Sequence, residues 1–109
     1  MAYSHSLADR VRQVLRDNRG IVEMRMFGGV AFLLDGNMLV AVWQRSLIAR
    51  LGPEQAPRAL KQPHVGEFEV TGRPMKGWVI IGPDGLASDQ QLAEWIEKAS
   101  TFVQTLPAK

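Results

Sequence analysis

The segment IVEMRMFGGVAFLLDGNMLVAVW, residues 21–43, decides the fold. It begins with a period of two. Val22, Met24 and Met26 alternate with Glu23, Arg25 and Phe27, so neighbouring side chains fall on opposite faces, as in a β-strand. Gly28-Gly29 interrupts this run, as glycines do at a bulge or a sharp change of direction between strands. A second strand, residues 30–34, runs into Asp35-Gly36, the strongest short hairpin signal, because both central turn residues need positive φ. The returning strand, 38–44, is apolar nearly throughout, which places it centrally in its sheet. Arg45-Ser46 is short enough for another tight turn, and residues 47–51 pair back. The product is a meander of antiparallel strands.

Helical periodicity flanks this meander. Leu7, Val11, Val14 and Leu15 form an apolar stripe, Ser6 to Asp9 reads as a capping box, and Asn18 and Gly20 suit a helix end. A first helix is expected over 5–18. Ser88-Asp89-Gln90-Gln91 is a second capping box, and Leu92, Ile96, Ala99, Val103 and Leu106 then bury one face of a last helix that Pro107 stops. Between them, Gly52-Pro53 breaks the sheet, and 54–61 reads as a short helix with Pro57 in its first turn. Residues 63–66 read as loop. Residues 67–71 and 78–81 read as strands joined through 72–77, and Pro83-Asp84-Gly85 as a turn. Strands in runs with helices at the ends and middle give an α+β two-layer sandwich.

Composition narrows the class. The 109 residues make one domain spanning 1–109, large enough for one core. With 46% apolar and 22% charged residues the chain is an ordinary globular one, and zero cysteines exclude disulfides, thiolate metal sites and cysteine nucleophiles. Thirteen basic against 11 acidic side chains leave +2, far below a dedicated nucleic-acid binder. No signal peptide or membrane span is visible, so a cytoplasmic protein is expected.

No constellation of residues spells out a chemistry. His5 and His64 stand apart from any convergent carboxylates, so no metal is expected. Ser6 and Ser88 read as helix caps, Ser46 as a turn residue, and no nucleophile elbow is present. Glu67 and Glu69 share one strand face and read as solvated. Gly28-Gly29 lacks the spacing and the following helix that a phosphate loop requires. Neither catalysis nor a cofactor is expected. Arg12, Arg16 and Arg19 recur at i, i+4 and i+7, with Arg10 and Arg25 available to extend the stripe. Such a stripe meets phosphates or an acidic protein face, or is a solvated face partly paired with Asp9 and Asp17. Of Trp43, Trp78 and Trp95, at least two read as core, and a partly exposed one would anchor a partner. Met24, Met26, Met38 and Met75 read as gap-filling core.

Arg25-Met26-Phe27-Gly28-Gly29, then Asp35-Gly36-Asn37-Met38, then Pro74-Met75-Lys76-Gly77-Trp78, followed by the Leu92-Ala93-Glu94-Trp95-Ile96 helix, resemble the TfoX N-terminal domain family over residues 20–106. The resemblance implies an α-β(3)-α-β(2)-α sandwich, similar to type III secretion chaperones and YjbR-like proteins. The strand read at 47–51 adds one to that count. The family includes the competence regulators TfoX/Sxy, which act with a cyclic-AMP receptor protein at certain promoters and carry a further C-terminal domain. Here the sequence ends at Lys109, so a stand-alone N-terminal domain is expected. The resemblance implies no catalytic residues. Met26, Phe27, Gly28, Gly29, Asp35 and Gly36 are expected to determine the fold. Arg25 and Lys76 have no structural explanation in the sequence and join Arg12, Arg16 and Arg19 as the candidate interaction surface. The expected function is a non-enzymatic protein-interaction module, homodimeric, that assists transcription or competence. The alternatives are nucleic-acid binding through the first helix, or a small ligand between sheet and helices.

Overall fold

A computed structural model describes residues 3–26, 28–70 and 72–109. The chain runs α1 (His5–Leu15), β1 (Ile21–Met26), β2 (Gly29–Leu34), β3 (Asn37–Trp43), β4 (Ser46–Arg50), α2 (Gly52–Ala59), β5 (Val65–Val70), β6 (Arg73–Ile81), a 3-10 turn (Pro83–Leu86) and α3 (Asp89–Val103). The strands form one antiparallel sheet in the order β1-β2-β3-β4-β6-β5. The fourth strand of the meander is real, and it is the bridge between the two halves of the sheet, pairing β3 on one side and β6 on the other. The architecture is α+β, as the sequence predicts.

Turn chemistry sets the register. Asp35 and Gly36 both take positive φ, 52° and 86°, and close the β2–β3 hairpin. Gln44 takes a φ of 54°, so the β3–β4 turn is Gln44-Arg45, one residue earlier than expected. Gly29 begins β2 where an added Cβ would sit on the Val42 carbonyl oxygen, so only glycine lets the two backbones approach. Phe27, the remaining member of that motif, lies outside the described residues.

Several boundaries differ from the sequence reading. The cap of α1 is Ser4, whose hydroxyl accepts from the Leu7 N–H, and the helix ends at Leu15. Ser6 and Asp9 therefore lie inside it, and Asp9 pairs with Arg12 instead of capping. Helix α2 starts at Gly52 with Pro53 at its second position, which puts Pro57 beyond the first turn. Strand β5 begins at Val65, and β6 begins at Arg73. Pro74 and Gly77 fall in the stretch 72–77 read as a connection, but the strand continues through them. Gly77 bends it at a φ of 87°, and its carbonyl accepts from the Leu51 N–H at 2.8 Å.

The core lies on one side of the sheet. Val30, Phe32, Val40, Val42, Leu47, Ala49, Val79 and Ile81 face Leu7, Val11 and Leu15 of α1 and Leu92, Ile96, Ala99 and Val103 of α3. The register enforces this, because paired residues share a face: Val30 opposes Val42, Val42 opposes Leu47, and Leu47 opposes Ile81. The α3 capping box is present as predicted, with Ser88 and Gln91 bonding reciprocally. Arg10 clamps α1 to α3, donating to the Leu86 carbonyl at 2.7 Å and to Asp89 at 3.1 Å. At the other end, the buried Asn37 side chain donates to the Pro107 carbonyl, and the Lys109 N–H donates to the Asp35 carbonyl. Among the described residues no helix is long and apolar enough to cross a membrane.

One-sided burial has a direct test. Phe32→Ala empties a fully buried ring site and should cost about 3–5 kcal/mol. Val22→Ala, on the exposed part of β1, should change stability by about 0.5 kcal/mol or less. Urea unfolding followed by circular dichroism reads both, and equal costs would place β1 and β2 in the same core.

Candidate functional site

Among the described residues the other face of the sheet carries no helix. Counting registers across it gives Met24 beside Ala31, Ala31 beside Ala41, Ala41 beside Ile48, and Ile48 beside Ile80. This face is apolar from β1 to β6. Ala31, Ala41 and Ile48 form its floor and are buried without any covering element, because Met26, Leu33, Met38, Phe68, Trp78 and Ile80 stand around them. Small side chains in the middle and bulky ones at the margin make the face concave. Its hollow is a cavity of about 470 Å³ lined by Met26, Gly29, Ala41, Trp43, Ile48, Phe68 and Ile80, with Glu67 and Glu69 on the β5 side.

Several residues read as core belong here. Met24 is 48% exposed and Trp43 39% exposed, while Met26, Met38 and Trp78 are half-buried. Strand alternation puts them opposite the helices. Trp95 alone of the three tryptophans joins the helix-covered core. Phe68 packs on Trp78 at 6.1 Å between ring centroids. Arg50, at the end of β4, lies over Trp78 at 5.3 Å and Phe102 at 5.9 Å, so one guanidinium closes the end of the face between two rings. The apolar character of β2 and β3 on both faces was the sequence signal for this surface. The three α-helices among the described residues all place their buried apolar side chains in the core on the other side.

The basic residues do not converge. Because α1 ends at Leu15, Arg16 is its cap and Arg19 lies in the following turn, so the stripe is broken after Arg12. Arg12 is engaged within the chain. It donates to both Glu23 oxygens, at 2.7 and 2.8 Å, and to Asp9 at 2.6 Å. Arg16 lies 4.0 Å from Asp17. Arg25 is exposed on the edge strand β1, on the helix side of the sheet opposite Val30. Lys76 is exposed on β6, beside a crevice of about 250 Å³ between α2 and the β5–β6 hairpin that Met75, Pro57 and Leu60 also line. Four strand spacings, about 19 Å, separate β1 from β6. Arg12, Arg16, Arg19, Arg25 and Lys76 are therefore not one patch. No three His, Asp or Glu side chains converge among the described residues.

The Arg12 hydrogen bonds hold the Glu23 carboxyl below the usual glutamate range, against a smaller desolvation effect, and raise the Arg12 guanidinium. Both side chains are well exposed, at 41% and 40%, so solvent screening limits the pair to about 1 kcal/mol or less. A lowered folded-state pKa adds stability above the unfolded pKa and loses it as pH falls through the folded one. Glu23→Gln should thus cost under about 1 kcal/mol at neutral pH. The gap to wild type should close as pH falls through the lowered Glu23 pKa, measured by denaturant unfolding at successive pH values.

Searches of curated proteins and of solved structures return no match to the chain. A family model does match, described as the TfoX N-terminal domain, over residues 13–103. That span runs from within α1 to the last residue of α3, and it contains the whole sheet and the apolar face it leaves uncovered. The chain belongs to the TfoX N-terminal domain family.

Proposed function

We propose that the domain is a non-enzymatic protein-interaction module serving the regulation of transcription or competence. Its docking surface in this reading is the helix-free face of the sheet, and its partner presents an apolar segment with basic flanks. Membership of a regulatory, non-catalytic family supports the first part. The observation that carries the second is the apolar hollow over Ala31, Ala41 and Ile48. A contiguous exposed apolar patch of this kind marks an interaction site on a soluble domain. Its rim supplies the sign of the partner. Glu67 and Glu69 line the hollow and form no ion pair among the described residues. Trp43 at the opposite margin has the size and partial exposure of an interface anchor. Nucleic-acid binding through α1 has less support, since Arg12 is neutralised by Glu23 and Asp9.

Two designed helical peptides test this reading. Both repeat leucine at i, i+3 and i+4. One carries lysines on its polar face, the other glutamates. The lysine peptide should bind and blue-shift the tryptophan fluorescence, and Trp43→Ala or the pair Glu67→Lys and Glu69→Lys should weaken it by about tenfold or more. Equal binding of both peptides, or amide shifts confined to the helix side, would reject the face as the docking surface.

A further inference from the structure

The two edges of the sheet are built differently. Strand β5 is a poor template for pairing. Its ladder slips between Glu67 and Glu69, it contains Gly66, and the two glutamates repel a second acidic strand. Strand β1 carries none of these protections. It is six residues long, regular in its register with β2, free of proline and glycine, and mostly exposed.

Its backbone polarity is fixed by the hairpin. The Asp35 N–H donates to the Gly20 carbonyl at 3.0 Å, so Gly20 and Asp35 form a hydrogen-bonded pair. Such pairs alternate along an antiparallel ladder, and Val22–Leu33 and Met24–Ala31 are the next two. Val22 and Met24 therefore direct their backbone groups to β2. Ile21, Glu23 and Arg25 turn their N–H and C=O outward, with no neighbouring strand among the described residues to receive them.

We propose that this edge pairs antiparallel with β1 of a second copy of the chain, with Met24 opposite Met24. Electrostatics selects that register. A two-fold axis through Glu23 or through Arg25 would set like charges directly opposite each other, which destabilises a ladder. An axis through Met24 sets Glu23 opposite Arg25 of the second copy, and Arg25 opposite its Glu23. The backbone agrees, since Glu23 and Arg25 are the residues whose N–H and C=O face outward and must meet as hydrogen-bonded pairs. Val22 then lies opposite Met26. Glu23 already accepts two bonds from Arg12, and each carboxylate oxygen keeps a lone pair for a second guanidinium. Arg25 makes no ion pair within its own chain among the described residues, and this contact gives it a role. Opposed residues share a face, so the helix-free faces of both copies lie on one side of a continuous twelve-stranded sheet. Pairing uses backbone groups that docking on the apolar face leaves untouched, so failure of either proposal leaves the other standing.

Size exclusion with light scattering is the test, run on wild type and variants that retain the wild-type circular dichroism. Wild type should give about 24 kDa, twice the 12.1 kDa of one chain. Arg25→Glu and Glu23→Arg each oppose like charges and should weaken dimerisation by about tenfold or more. Mixing these two variants restores both ion pairs and should regain the 24 kDa species. Arg25→Pro removes the guanidinium and, from the backbone, an N–H that faces outward and not toward β2, so it should leave the β1–β2 ladder folded and the chain monomeric. A wild-type monomer at millimolar concentration overturns the proposal. So does a dimer indifferent to Arg25→Pro and to both charge reversals.

Discussion

Burial of one sheet face beneath α1 and α3 is the interaction on which the rest of the structure depends. The registers fix which side chains share that face, and Phe32, Val40, Leu47 and Ile81 fill it against Val11, Leu92 and Ile96. Tight turns at Asp35-Gly36 and Gln44-Arg45 keep the meander in phase. A shift by one residue in any ladder would exchange the two faces of that strand. Among the described residues no helix covers the opposite side, which the chain has nonetheless made apolar. A core that needs only one face and a sheet that is apolar on two is the physical origin of the candidate site.

Much of this was legible in the sequence because it is local. The period-two run from Ile21, the Asp35-Gly36 turn and the Ser88–Gln91 capping box each state their conformation within a few residues, and the structure has all three. The start of α1 was less legible: Ser6 and Asp9 have the capping-box spacing, but the hydroxyl that accepts the Leu7 N–H belongs to Ser4. The β5–β6 hairpin was misread because Pro74 and Gly77 are local breakers. Their cost is offset by a non-local bond, Leu51 N–H to the Gly77 carbonyl. The site was the least legible part. Methionines and tryptophans on strands look alike whether their face is covered or bare. Which it is depends on where the helices dock, and no window of sequence contains that.

The same holds for charge. Helical spacing of Arg12, Arg16 and Arg19 suggested one basic stripe. The helix stops at Leu15, and Glu23, eleven residues away on β1, takes up the first of the three. Arg10 likewise became a strut between α1 and α3. The arginines that join elements are withdrawn from any basic surface, while Arg16, Arg19, Arg25, Arg45, Arg58 and Arg73 stay exposed and scattered. Arg50 between Trp78 and Phe102 follows the same pattern.

The unequal edges of the sheet have a consequence for stoichiometry. A sheet with two pairable edges can add subunits end to end without limit and grow into a fibre. Here the ladder slip and the paired glutamates blunt β5, while β1 remains regular. Two copies joined β1 to β1 are joined isologously: each uses the same patch, and the bond that forms consumes the more regular of the two edges. Assembly by that route is finite. The register slip at the far edge, a small irregularity for one molecule, denies a population of them the second regular edge that a fibre needs.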